Sequence, residues 1–153
     1  RQMCIRDRDL LEASIEMAAA AAELFIGQGI RTSLETNGPD LLTKEAVCLK
    51  ASCGAGHLDS IFRGLARIDL EKPAPSFEPI RERLEEMEDR ESLCTIFFSA
   101  DARPEFQQLL EKFRKEKREF IWFCPVNRII RPEINAGIRP YTRLIDVEEG
   151  GRL

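Results

Sequence analysis

Two short apolar runs, LCTIFF at 93–98 and FIWFCPV at 120–126, flank the segment ARPEFQQLLEKFRKEKRE. A run of this kind, unbroken by polar residues, reads as a strand covered on both faces inside a sheet clad by helices. The segment between them is a helix beginning near Pro104. It turns Phe106, Leu109, Leu110 and Phe113 to one side and its charges to the other. Pro125 is expected to stop the second strand, since it has no N–H to give a ladder.

The rest of the chain extends this pattern. DLLEASIEMAAAAAELFIGQG places Leu11, Ile15, Ala18, Ala22 and Phe25 at three- and four-residue steps, on one face of a long helix. Asp9 is suited to cap its start, and Gly27 and Gly29 to stop it. Ile30, Thr32 and Leu34 then alternate with polar residues towards an Asn-Gly-Pro-Asp turn, and EAVCLKASC alternates through Val47, Leu49 and Ala51. Together they read as a hairpin near a sheet edge. A glycine turn leads into a helix lined by Leu58, Ile61, Leu65 and Ile68, and FEPIRERLEEMED gives another with Phe77, Ile80, Leu84 and Met87 inward.

This order implies an α/β fold with a mostly parallel sheet and helices on both faces. It also implies a vacancy. A long Ala-rich helix in such a fold is normally fed by a buried strand, and none precedes this one. After residue 128 the chain is broken by prolines and glycines, with RPYTRLIDVEE a candidate last strand.

The size of 153 residues suits one domain, and a net charge of −4 gives no general attraction to nucleic acid or anionic lipid. No apolar run approaches the roughly 20 residues that span a bilayer. Of five cysteines, Cys94 and Cys124 sit in apolar runs, where a thiol packs as a small hydrophobe. Cys48 and Cys53 lack a metal-ligand spacing, so reduced thiols in a cytosolic compartment are expected.

DRDLLEASIEMAAAAAELFIGQGIRTSLETNG, the glycine turn into HLDSIFRGLARID, LCTIFFSAD and FIWFCPVN resemble the C-terminal half of the bacterial family called domain of unknown function 58. That half is a von Willebrand factor A-like, Rossmann-like domain, and the likeness covers about residues 9–128, with 129–153 as a C-terminal tail. The resemblance implies a parent anchored in the membrane by N-terminal helices. It implies that this domain lies on the cytoplasmic side as an interaction module working with a MoxR-type AAA+ ATPase. It also implies a divalent metal, such as Mg, held by an Asp-x-Ser-x-Ser stretch ending the first strand, a Thr and a later Asp. The first would lie just before Asp9 and is not there, His57 or Ser60 stands near the Thr position, and Asp101 alone matches.

Each candidate has a plainer reading. Asp101 follows a strand at the carboxyl edge, where open α/β sheets place ligands, but it also suits the start of the next helix. Cys53 and His57 in CGAGH suggest a nucleophile and base, which with Asp101 would make an α/β enzyme. GAGHLD grazes a dinucleotide fingerprint, but Asp59 replaces its last small residue. KFRKEKR alternates with Glu111, Glu116 and Glu119, as a solvated helix face does. A third role is purely structural, within the membrane-anchored parent. Finally, MCIRDR is encoded by ATG TGT ATA AGA GAC AGN, which matches a transposase end used to prepare sequencing libraries. Residues 1–8 are therefore set apart as adapter-derived and the domain as lacking its first strand, a native polar arm being the alternative.

Overall fold

The computed structural model describes residues 5–71, 76–86 and 93–148. In chain order, helix α1 (Ile5–Gly27) leads to strands β1 (Thr32–Pro39) and β2 (Ala46–Ser52). Helices α2 (Ala55–Ala66) and α3 (Glu78–Glu86) then precede β3 (Cys94–Phe98), α4 (Pro104–Lys115) and β4 (Glu119–Val126). A 3-10 turn at Arg139–Tyr141 feeds β5 (Thr142–Asp146). Met87 and residues 1–4 lie outside the described residues.

The strands form two sheets. β3, β4 and β5 make a parallel sheet in that order, with Phe98 beside Phe123 and Val126 beside Asp146. β1 and β2 pair antiparallel as a separate hairpin, not as the edge of the parallel sheet. The last strand read from RPYTRLIDVEE is present, and Ile134 and Ile138 ahead of it belong to the main core.

That core lies between the parallel sheet and α3 and α4. Phe120, Trp122, Cys124 and Val126 alternate along β4 and all point into it, against Phe106, Leu109, Leu110 and Phe113 of α4. Phe106 stands edge-on to Trp122 at 5.0 Å and to Phe97 at 5.5 Å, and stacks on Phe77 at 4.6 Å. Edge-to-face pairs set the positive rim of one ring on the negative face of the next. The apolar runs are thus not covered equally on both sides. Ile121 and Phe123, on the other face of β4, are only half-buried. β3 is an outer strand and is half-buried at best, because its free edge borders a cavity.

Pro125 does not stop β4; it pairs with Ile145 inside the strand. Val147 N–H donates to the Val126 carbonyl at 2.8 Å, so Val126 faces β5 and the residue before it faces the β3 side. There β3 has already ended at Phe98, and the missing N–H costs no ladder bond. The Asn-Gly-Pro-Asp stretch is also not the hairpin turn. β1 runs through Pro39, and the chain reverses at 40–44, where Asp40 Oδ1 accepts from Leu42 N at 2.7 Å and Thr43 N at 3.1 Å. Gly38 is needed instead for close approach, since a Cβ there would lie 2.7 Å from Ile68 Cγ2.

α1 lies across both sheets. Near its start, Leu10 and Ala13 pack on Val147, Ala100 and Ile130 beyond the carboxyl ends of the parallel strands. Near its end, Ala22 and Ile26 pack with Val47, Ile61 and Leu65 of the hairpin and α2. The helix starts ahead of Asp9, and Arg8 pairs with Glu12 at 3.2 Å and Glu71 at 2.5 Å. Of the expected stripe Leu11, Ile15, Ala18, Ala22 and Phe25 only Ala22 is fully buried; the other buried residues of the helix are Leu10, Ala13, Ser14 and Ile26. Among the described residues no helix is long and apolar enough to cross a membrane.

Phe106→Ala is expected to destabilise the domain by about 3–5 kcal/mol, by removing the ring that joins α4 to β3, β4 and Phe77. Leu24→Ala, at a position 56% exposed, should stay within about 0.5 kcal/mol. Urea unfolding of the two variants measures the contrast.

Candidate functional site

The carboxyl ends of the parallel strands carry a polar rim. After β3, Asp101 N–H donates to Ser99 Oγ at 3.1 Å, and Asp101 Oδ1 accepts from Arg103 N–H at 3.0 Å. The Asp101 Oδ2 to Arg103 Nη2 ion pair is 2.5 Å long, and it raises the guanidinium's affinity for its proton. Asp101 is therefore a turn-former two residues ahead of the helix cap position, which Arg103 occupies. The Arg103 guanidinium also lies 5.7 Å from the Phe77 ring centroid.

After β4, Asn127 Oδ1 accepts from Ile129 N–H at 2.9 Å and Ile130 N–H at 2.6 Å. Arg131 Nη1 reaches Asp146 Oδ1 at 2.7 Å, closing the rim over the end of β5. Beneath it Gln107 is buried. Its Nε2 donates to the Ala102 and Glu133 carbonyls at 2.8 and 3.0 Å, and its Oε1 accepts from Asn135 N–H at 2.8 Å. A buried amide with all these bonds made holds two loops to one helix. Gln107 was hidden in the sequence by its place beside the apolar face of α4; Asn127, directly after an apolar run and before Arg128, carried the ordinary signal of a side-chain-capped turn.

The GAGH loop is at the other end of the molecule. His57 lies beside the Thr32 carbonyl, to which its Nε2 donates at 2.6 Å. Ile30, two residues before Thr32, donates its N–H to Phe25 near the end of α1. Asp101 follows Ala100, which packs on Leu10 and Ala13 near the start of α1. Twelve helical residues separate Ala13 from Phe25, so the two sites stand on the order of 18 Å apart along the helix. Cys53 is exposed in that distant loop, Ser60 Oγ donates to the Gly56 carbonyl at 3.1 Å, and Asp59 is paired with Arg63. The structure does not bring Cys53, His57 and Asp101 together.

Nor do the described residues alone fit a divalent cation. Both Asp101 carboxylate oxygens are engaged by Arg103, and among the described residues no group of three His, Cys, Asp or Glu side chains could hold a metal. The basic segment 112–118 is compensated in part. Lys112 pairs with Glu85, Arg114 with Glu111 at 3.1 Å, and the Arg118 guanidinium lies 3.9 Å from the Phe113 ring centroid.

A scan against protein-family models, a search of curated proteins and a search of solved structures each found no match.

The thiols differ in exposure and in acidity. Burial pushes the Cys124 thiol up to about 12, and burial also raises Cys48 and Cys94. Cys94 is exposed at the start of β3, not buried as the run LCTIFF suggested. Among the cysteines of the described residues, iodoacetamide at neutral pH is expected to modify the exposed Cys53 first, then Cys48 and Cys94, whose partial burial disfavours the reactive thiolate. Cys124 should react only after unfolding. Peptide mass spectrometry against time reads the order, and a Cys53 rate well above that of free cysteine would reveal an activated thiolate.

Proposed function

We propose that the chain is a von Willebrand factor A-like interaction module, and that it meets a MoxR-type AAA+ ATPase through the carboxyl rim of its parallel sheet. The observation that carries this reading is the rim itself. Ser99, Asp101 and Arg103 form one braced turn, and Asn127, Arg131 and Asp146 form another beside it. Open α/β sheets place their ligands at this edge. The braced turns hold charged side chains in fixed positions, so little side-chain entropy is lost when a partner docks. The order of helix, hairpin and three parallel strands supports the A-like reading; of the GAGH and SAD loops expected from the sequence at the contact, SAD is the one that lies at this rim.

The GAGH loop takes no part in this contact, because it stands at the far end of α1. The rim acts through the Asp101–Arg103 pair. Removing the carboxylate leaves Arg103 uncompensated and changes the charge that a partner meets.

Asp101→Ala is expected to weaken binding of a purified MoxR-type ATPase by about tenfold, roughly 1.4 kcal/mol, while His57→Gln leaves it unchanged. Surface plasmon resonance with the chain immobilised by its C-terminus measures both. No binding by the unaltered chain, or equal loss in the two variants, would sink the proposal.

A further inference from the structure

The amino ends of the parallel strands border a pocket of about 500 Å³, at the opposite edge of the sheet from the rim. Cys94 at the start of β3, Glu119 and Phe120 at the start of β4 and Tyr141 just ahead of β5 form part of its wall. Arg114, Lys117 and Arg118, from the end of α4 and the turn after it, add three cations. Two of these are already engaged. Arg114 pairs with Glu111 at 3.1 Å, and the Arg118 guanidinium donates to the Leu84 carbonyl at 3.2 Å and lies 3.9 Å from the Phe113 ring centroid. Among the described residues the Lys117 ammonium has neither a hydrogen bond nor an ion pair. The Cys94 thiol adds no negative charge, because burial and the neighbouring Glu119 both favour its protonated form.

The backbone singles out the same lysine. At the end of α4, Lys117 N–H donates to the Arg114 carbonyl at 3.1 Å and Arg118 N–H to the Phe113 carbonyl at 3.0 Å, the pair of bonds that turns a helix end through the left-handed region. Lys117 sits there with φ 58°. Glycine is the ordinary residue at that position, since a Cβ crowds the following carbonyl. Lys44, at φ 65°, uses its Nζ to bond the Leu41 carbonyl of its own loop at 2.7 Å; Lys117 has no such local use. Nor is it needed to offset the helix dipole, because Lys112, Arg114 and Lys115 in the last turn of α4 do so. Strain of this kind persists where a side chain is required for binding.

The remaining wall is aromatic. Phe120 is buried, and the Tyr141 ring beside it, with centroids 5.0 Å apart, is 42% exposed. An exposed ring near an uncompensated cation matches a flat apolar ligand with an anionic group at one end. A singly charged carboxylate suits the pocket better than a phosphate dianion, since Glu119 repels the second charge. We propose that the pocket binds a small aromatic carboxylate, its ring against Tyr141 and its carboxylate on Lys117. This site is separate from the rim and stands whether or not the rim binds an ATPase.

The test titrates the chain with 2-naphthoate, with the uncharged alcohol 2-naphthalenemethanol and with 2-naphthyl phosphate, following the resonances of residues 114–121 and Tyr141 by NMR. Saturable shifts with a Kd of about 1 mM are expected for the carboxylate, and binding about tenfold weaker for the alcohol. Lys117→Gly is expected to move two readouts in opposite senses. Its Tm rises by about 3 °C as the strain is lost, and its affinity for 2-naphthoate falls about tenfold. Lys117→Arg and Tyr141→Phe should keep the affinity, and Tyr141→Ala should lose it. Absence of saturable shifts at concentrations well above the expected Kd, equal binding of the alcohol, or unchanged affinity in Lys117→Gly would overturn the proposal. Tighter binding of the phosphate would overturn the choice of a carboxylate.

Discussion

The packing of α1 across two sheets that do not hydrogen-bond to each other is the constraint on which the rest depends. Leu10 and Ala13 seal the carboxyl end of the parallel sheet, and Ala22 and Ile26 seal the hairpin. The alanines between let the helix lie close to both without side chains forcing them apart. The hairpin is otherwise tied to the rest by side chains of α3 and by the loop after α2, where Leu41 N–H donates to the Arg67 carbonyl and Asp69 N–H to Pro39, each at 2.8 Å. Helix α1 therefore fixes which ends of the strands share an edge, and with that it fixes which loops can meet.

That consequence governs the chemistry. A spacing of four in CGAGH and a strand-end Asp in SAD look combinable on paper, because sequence gives no direction to the strands that carry them. Once α1 runs from the carboxyl rim to the start of β1, the two loops are held at opposite ends. His57 then has a structural duty, donating to Thr32 and fastening the start of α2 to the start of β1. Asp101 has a local one, shaping the turn from β3 into α4. What remains at the rim is a set of braced charges, which suits recognition.

Much of the fold was legible because amphipathic periodicity is local. The inward residues of α4 and of α3 up to Leu84, and the last strand, follow from spacing alone. The misreadings came where a neighbour decides. Pro125 is tolerated only because β3 ends before it, and Gly38 sits within a strand only because Ile68 presses on it. The apolar runs of β3 and β4 suggested equal cover on both faces, while the structure covers one face of β4 with α4 and leaves the other half-open. Within the rim, Asp101 was visible by its position after a strand. Gln107 was not, since its value lies in carbonyls contributed by Ala102 and Glu133, 26 residues from it in the second case.

The failure of the α1 stripe is the most informative of these. Leu11, Ile15, Ala18, Ala22 and Phe25 have the spacing of a buried face, yet only Ala22 is fully buried, while Leu10, Ala13, Ser14 and Ile26 are buried beside them. Periodicity errs at random when it reflects only composition, but here the under-buried residues of α1, β1 and β3 all border the same cavity. The apolar stripe of α1 and the apolar run of β3 thus meet at one space. A native sequence is consistent across levels, from local pattern to core packing. The conflict between pattern and burial is thus confined to one space, the cavity bordered by α1, β1 and β3.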